Sequence, residues 1–189
     1  MTCALRSLAC TLAAAALLAT SGARAALEPA KACPGYPFAH PKRQVSTAQV
    51  TALLKAAVAR YWPVLAPYDV SIKTFTSAKD YFKSEVAPET VLHAAPKRRY
   101  HVQVNQRLLA DAPSDAALTA IMVHELSHVH DYTKMSSVRF AGFAVEYATR
   151  PQARYERQTD GAPLSRGLGC GLMEFGCGST RGSTRRRWR

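Results

Sequence analysis

The sequence predicts an α+β fold, with helices around a short sheet, and three observations predict it. Residues 70–75 and 100–105 alternate apolar and polar side chains, the period of a half-buried strand. Residues 46–61, 114–132 and 136–149 carry apolar side chains at helical spacing instead. Apolar residues make up 48% of the chain, enough for a core, and the length suits one domain with ragged ends.

The N-terminus reads as a targeting segment. Arg6 precedes an apolar run over residues 8–19, and Ala23-Arg24-Ala25 offers small residues at the −3 and −1 positions of a cleavage site. That is the pattern of a secretory signal peptide over residues 1–25. The run is short for a permanent span, so no transmembrane segment is expected after cleavage, and the protein is expected to be exported, periplasmic or secreted. Cys3 and Cys10 leave with that peptide. Cys33, Cys170 and Cys177 remain, and an oxidising compartment favours one disulfide among them with one thiol left over. Their spacing leaves the pairing open and lacks the C-x-x-C of a cysteine zinc site.

Residues 26–45 are rich in proline and glycine and read as an extended arm. His40 lies in it as a surface residue. Ser46 followed by Gln49 makes a capping box, so a packing helix starts at 46 and ends before Pro63. Strand character follows at 70–75. Residues 77–85 read as a short polar helix, and residues 86–99, with Pro88, Pro96 and Lys97-Arg98-Arg99, as a loop holding His93. The strand at 100–105 is either an exposed edge able to pair with an extended peptide or an ordinary interior strand. His101 on it reads as a strand surface residue.

The next helix, 114–132, capped by Ser114 or Asp111, contains His124-Glu125-Leu126-Ser127-His128. Side chains at i and i+4 share a helix face, so both imidazoles can reach one metal ion. Glu125 sits one step round the turn, where it can hold and deprotonate a metal-bound water. With six histidines in the chain, this pattern arises by chance in on the order of one chain in a hundred or fewer. An amphipathic helix with two surface histidines is the competing reading. The apolar run before the motif argues against it, because a buried imidazole needs a partner. His130 falls on another face and is not expected to bind the same metal.

After the 136–149 helix and Pro151, Glu156 and Asp160 stand at i and i+4. A glutamate there can supply a third zinc ligand, and an aspartate one turn on can accept the N–H of a ligating histidine. A solvated face mixed with Arg154 and Arg157 is the alternative for this segment. Residues 161–178 are glycine-rich and read as a weak helix breaking into loop, and 177–189 as a basic disordered tail. This leaves 46–176 as the folded domain.

The net charge is +12 with five arginines in the last nine residues. A basic end adheres to polyanions non-specifically, but no nucleic-acid motif accompanies it, and no specific nucleic-acid partner is expected. The sequence offers no repeat and no phosphate loop.

H-E-x-x-H with a downstream E-x-x-x-D resembles the gluzincins, metallopeptidases with a glutamate ligand on a later helix. The chain also looks like small exported bacterial proteins of uncharacterised role that carry both motifs. The resemblance covers about residues 100–171. It implies a zincin-like fold with the active-site helix and supporting helices on a short sheet. It implies that Zn²⁺ is held by His124, His128 and Glu156, that Glu125 is the general base, and that Asp160 orients a ligating histidine. It further implies hydrolysis of a peptide or protein substrate. Tyr147, Tyr155 and Arg166 have the chemistry to stabilise an oxyanion, and nothing in the sequence ranks them. Two other classes stay open: a non-catalytic zinc-binding exported domain, and a basic surface-adhering protein that merely contains the motif.

Overall fold

The computed structural model describes Cys33 and residues 43–149 and 153–179. The expected signal peptide, most of the arm with His40, and the tail beyond 179 lie outside the described residues. The chain divides into compact units 1–36 and 37–189, and the elements below belong to the second. Cys33 and Cys170 are each disulfide-bonded.

Helix α1 (Thr47–Tyr61) starts where its cap predicts: Gln49 N–H donates to the Ser46 hydroxyl at 3.2 Å, and the Ser46 N–H donates to Gln49 Oε1 at 2.7 Å. It stops before Pro63, which opens a 3₁₀ turn. The fold begins earlier than the arm boundary at 45. Val45 is buried in the core, and residues 43–45 are anchored by the Val45 N–H to Leu109 and the Ala112 N–H to Arg43.

Strands β1 (Asp69–Phe75), β2 (Phe82–Val86) and β3 (Arg99–Asn105) form one sheet in the order β1-β3-β2, with β1 parallel and β2 antiparallel to β3. Two expectations, for residues 77–85 and for His101, are corrected here. The short polar helix over 77–85 is instead a turn running into β2: Phe82 and Val86 alternate with Lys83 and Glu85, and the two apolar residues are buried. The strand at 100–105 is the central one, the second of the two readings left open for it, and the edge strands are β1 and β2. Tyr100, Val102 and Val104 are fully buried on the helix-facing side. His101, on the other side, is buried too, rather than a surface residue. Its Nδ1 lies 3.0 Å from the Ser71 hydroxyl, and burial lowers its pKa.

After the one-turn helix α2 (Gln106–Ala110) comes α3 (Asp115–Thr133), capped by Ser114. Its residues 117–118, 120–129 and 132 are all buried. A helix apolar all round is one surrounded by protein. Its neighbours are α1, β2, β3 and two later helices, α5 (Ala153–Ser165) and α6 (Gly169–Ser179). Helix α4 (Ser137–Thr149) leaves Val138 and Val145 exposed. Among the described residues, no helix is long and apolar enough to cross a membrane.

The glycine-rich segment is more helical than its composition suggests. Helix α5 ends in a Schellman motif: Leu168 N–H reaches the Pro163 carbonyl at 2.9 Å, Gly167 N–H reaches Leu164 at 3.1 Å, and Gly167 takes φ +74°. Helix α6 then runs through Ser179, past the boundary expected at 176. It lies so close to α3 that a Cβ on Gly171 would stand 2.5 Å from the Ala116 carbonyl oxygen. Gly171→Ala therefore overpacks the contact, and the strain outweighs the gain in helix propensity. The net loss is about 1–2 kcal/mol, a fall of about 2–8 °C in Tm. Gly161, in α5 with nothing near its Cβ position, gives the opposite sign, with Ala stabilising by about 0.5–1 kcal/mol. Thermal unfolding of the two variants checks the pair.

Candidate metal centre

Ala116, Ala120, His124 and His128 form one stripe along α3. Helix α6 covers its start at Ala116 and Ala120, and α5 faces its second half. The stripe brings the two imidazoles together: His124 Nε2 and His128 Nε2 are 3.2 Å apart. Glu156, in the first turn of α5, places Oε2 3.3 Å from His124 Nε2 and 3.6 Å from His128 Nε2. Both histidines are buried. A tetrahedral ion with bonds of about 2.0–2.1 Å sets its ligand atoms about 3.3–3.4 Å apart, so the trio could hold a metal ion with little movement. It is the one group of this kind among the described residues. His130 is not in it. That ring lies against Trp62, with centroids 4.7 Å apart.

The flanking carboxylates fit the same reading. Asp160, one turn past Glu156, brings Oδ1 to 2.8 Å from His124 Nδ1. This is an ion-pair contact without the alignment of a straight hydrogen bond. Nε2 is left facing the ligand point, the arrangement expected of an orienting carboxylate. Burial opposes charging the His124 ring, but the contacts with Asp160 and Glu156 outweigh it and raise its pKa to about 10. Burial likewise opposes ionising Glu156, and its hydrogen bonds with both histidines hold its carboxyl well below the usual range. A divalent cation held by these groups would take the place of the proton on His124 and favour the charged carboxylate. His128 Nδ1 is buried with no hydrogen-bond partner among the described residues.

A cavity of about 450 Å³ opens beside the trio. One wall is β2 and the turn before it, with Asp80, Phe82, Lys83 and Ser84. Helix α3 gives Glu125, His128 and Tyr132, and the far side holds Tyr147 and Glu156. Burial raises the pKa of Glu125. The Tyr147 hydroxyl donates to Glu156 Oε1 at 2.8 Å, which leaves Oε2 to the histidines.

The three oxyanion candidates now separate. Tyr147 lines the cavity. Tyr155 packs its ring on His128, 5.0 Å between centroids, and its hydroxyl lies 3.3 Å from Asp131. Arg166 lies over Trp62 and donates to the Tyr61 carbonyl, away from the cavity. Sequence reasoning missed Phe82, Lys83 and Ser84, because it took their segment for helix; the alternation Phe82-Lys83-Ser84-Glu85-Val86 was the available signal. Tyr132 marks only the helix end in the sequence, yet it lines the cavity and joins an aromatic cluster with Phe140 and Phe143.

Compared with family models, curated proteins and solved structures, the chain matches none.

Proposed function

We propose that this protein is an exported, zinc-dependent metallopeptidase with a zincin-like fold. The observation that carries the reading is the convergence of His124, His128 and Glu156 to within 3.6 Å of one another beside a cavity that Glu125 also lines. Two imidazoles and a carboxylate with one open side suit zinc. Bound there, Zn²⁺ supplies a Lewis acid and lowers the pKa of a coordinated water to about 7.

The chain's own groups divide the remaining work. Asp160 turns the His124 ring, and Tyr147 occupies the second oxygen of Glu156. The Glu125 carboxylate takes the proton of the attacking water and passes it to the leaving amine. Of the three oxyanion candidates Tyr147 is the one that lines the cavity, and its single hydroxyl proton would have to leave Glu156 Oε1 to reach an oxygen that gains charge.

The free edge of β2 supplies the seat for a peptide. The Asn105 N–H to Tyr81 carbonyl and Ala87 N–H to Arg99 carbonyl bonds mark residues 81 and 87 as hydrogen-bonded positions in the β2–β3 register. Antiparallel ladders alternate, so Phe82, Ser84 and Val86 point their N–H and C=O groups off the edge. An extended peptide pairing there lies beside the cavity.

The test is hydrolysis of a mixed peptide library by the full chain. Cleavage abolished by a zinc chelator and restored by stoichiometric Zn²⁺ is the expected result. Stoichiometric zinc binding with no cleavage of any peptide would instead identify a non-catalytic zinc-binding domain.

A further inference from the structure

Ser84 is where the strand edge and Glu125 meet. Its hydroxyl lies 2.7 Å from Glu125 Oε2 and 2.9 Å from the Glu125 main-chain oxygen. A hydroxyl has one proton to give. The ionised carboxylate is the stronger acceptor, and the shorter distance is to it. Among the described residues, no other group donates a hydrogen bond to that carboxylate. Ser84 also presents its own N–H and C=O on the free edge of β2, so one residue faces both the base and the seat of a peptide.

We propose that the Ser84 hydroxyl is a positioning residue for Glu125, fixing the carboxylate against the cavity and tying it to the strand edge on which a peptide would lie. This rests on the metallopeptidase reading. A glutamate side chain left free samples many rotamers, whereas a general base must stay within hydrogen-bond reach of the proton it takes. A hydroxyl on the opposing strand removes that freedom without adding charge.

The experiment compares Ser84→Val with Ser84→Thr. The two side chains have the same shape and both favour strands, so they differ in the hydroxyl alone. Misplacing a catalytic group by an ångström costs on the order of a hundredfold, so Ser84→Val is expected to lower kcat at least about tenfold with KM within about threefold. Metal content should stay unchanged, and Ser84→Thr should recover most of the lost kcat. A second readout needs no activity. In metal-free protein labelled with ¹³C-glutamate, the Glu125 carboxyl resonance, assigned by its absence in Glu125→Gln, should move in the Val variant and stay in the Thr variant. A Val variant with the kcat of the Thr variant overturns the proposal, as does a resonance that stays fixed in both. If the wild type cleaves nothing, the metallopeptidase reading fails separately, and the resonance still decides whether Ser84 holds Glu125.

Discussion

Glu125→Gln is expected to lower peptide hydrolysis by about 10²- to 10⁴-fold, the contribution of a positioned general base, without loss of metal. Glutamine keeps the shape of glutamate and still accepts a hydrogen bond from Ser84, but it cannot take a proton. The three proposed ligands are untouched, so the metal content of the variant should equal that of the wild type. Burial raises the pKa of Glu125, bringing it nearer the operating pH of a general base. The measurement is kcat on a cleavable peptide beside elemental analysis of the same sample. A variant that hydrolyses as the wild type does assigns the base elsewhere.

The second large effect is on stability. Arg98 is 1% exposed, and no carboxylate among the described residues pairs with it. Its guanidinium donates instead to the carbonyls of His93 at 2.9 Å, Tyr132 at 3.2 Å and Met135 at 2.8 Å, and to the Ser137 hydroxyl at 3.1 Å. Two of those carbonyls close the C-terminal end of α3, where the helix dipole favours a cation. The same group therefore clamps α3, the helix of His124 and His128, to the loop before β3 and to the start of α4, the helix carrying Tyr147. Arg98→Met takes one donor from each of these acceptors and leaves the Met135 carbonyl without its partner, whereas Tyr132 and His93 keep other donors. It is expected to cost about 2–3 kcal/mol, a fall of about 4–12 °C in Tm. Arg98→Lys recovers only part of it, since one ammonium cannot span the same four acceptors. Thermal unfolding of both variants checks this, and a Tm unchanged in Arg98→Met would show that the clamp contributes nothing.

The parts of the fold legible in the sequence are those set by local chemistry. The capping box at Ser46, the halt at Pro63 and the cap at Ser114 are short-range signals, and the elements begin and end there. The i,i+4 spacing of His124 with His128 and of Glu156 with Asp160 puts each pair on one helix face, because helix periodicity alone requires it. That the two faces meet is a tertiary fact that neither spacing states.

What escaped was decided by packing. The five residues of β2 are too few to outweigh the polar, turn-forming residues before them, and their pairing with β3 is long-range. Which strand is central is a matter of order in the sheet, on which local alternation is silent. Four glycines within 169–178 argue against a helix by propensity, yet α6 forms because Gly171 allows close approach to α3, and tertiary packing overrides propensity. Ser84 was missed for the same reason as β2: its partner lies 41 positions away.

The central claim, that His124, His128 and Glu156 together hold zinc, is tested most directly by elemental analysis of the full chain and of Glu156→Ala after exhaustive dialysis against metal-free buffer. The account predicts about one zinc per wild-type chain, the stoichiometry of a single three-ligand site, and loss of that zinc in the variant. A wild type that retains no zinc, or a Glu156→Ala variant that retains as much as the wild type, would contradict it.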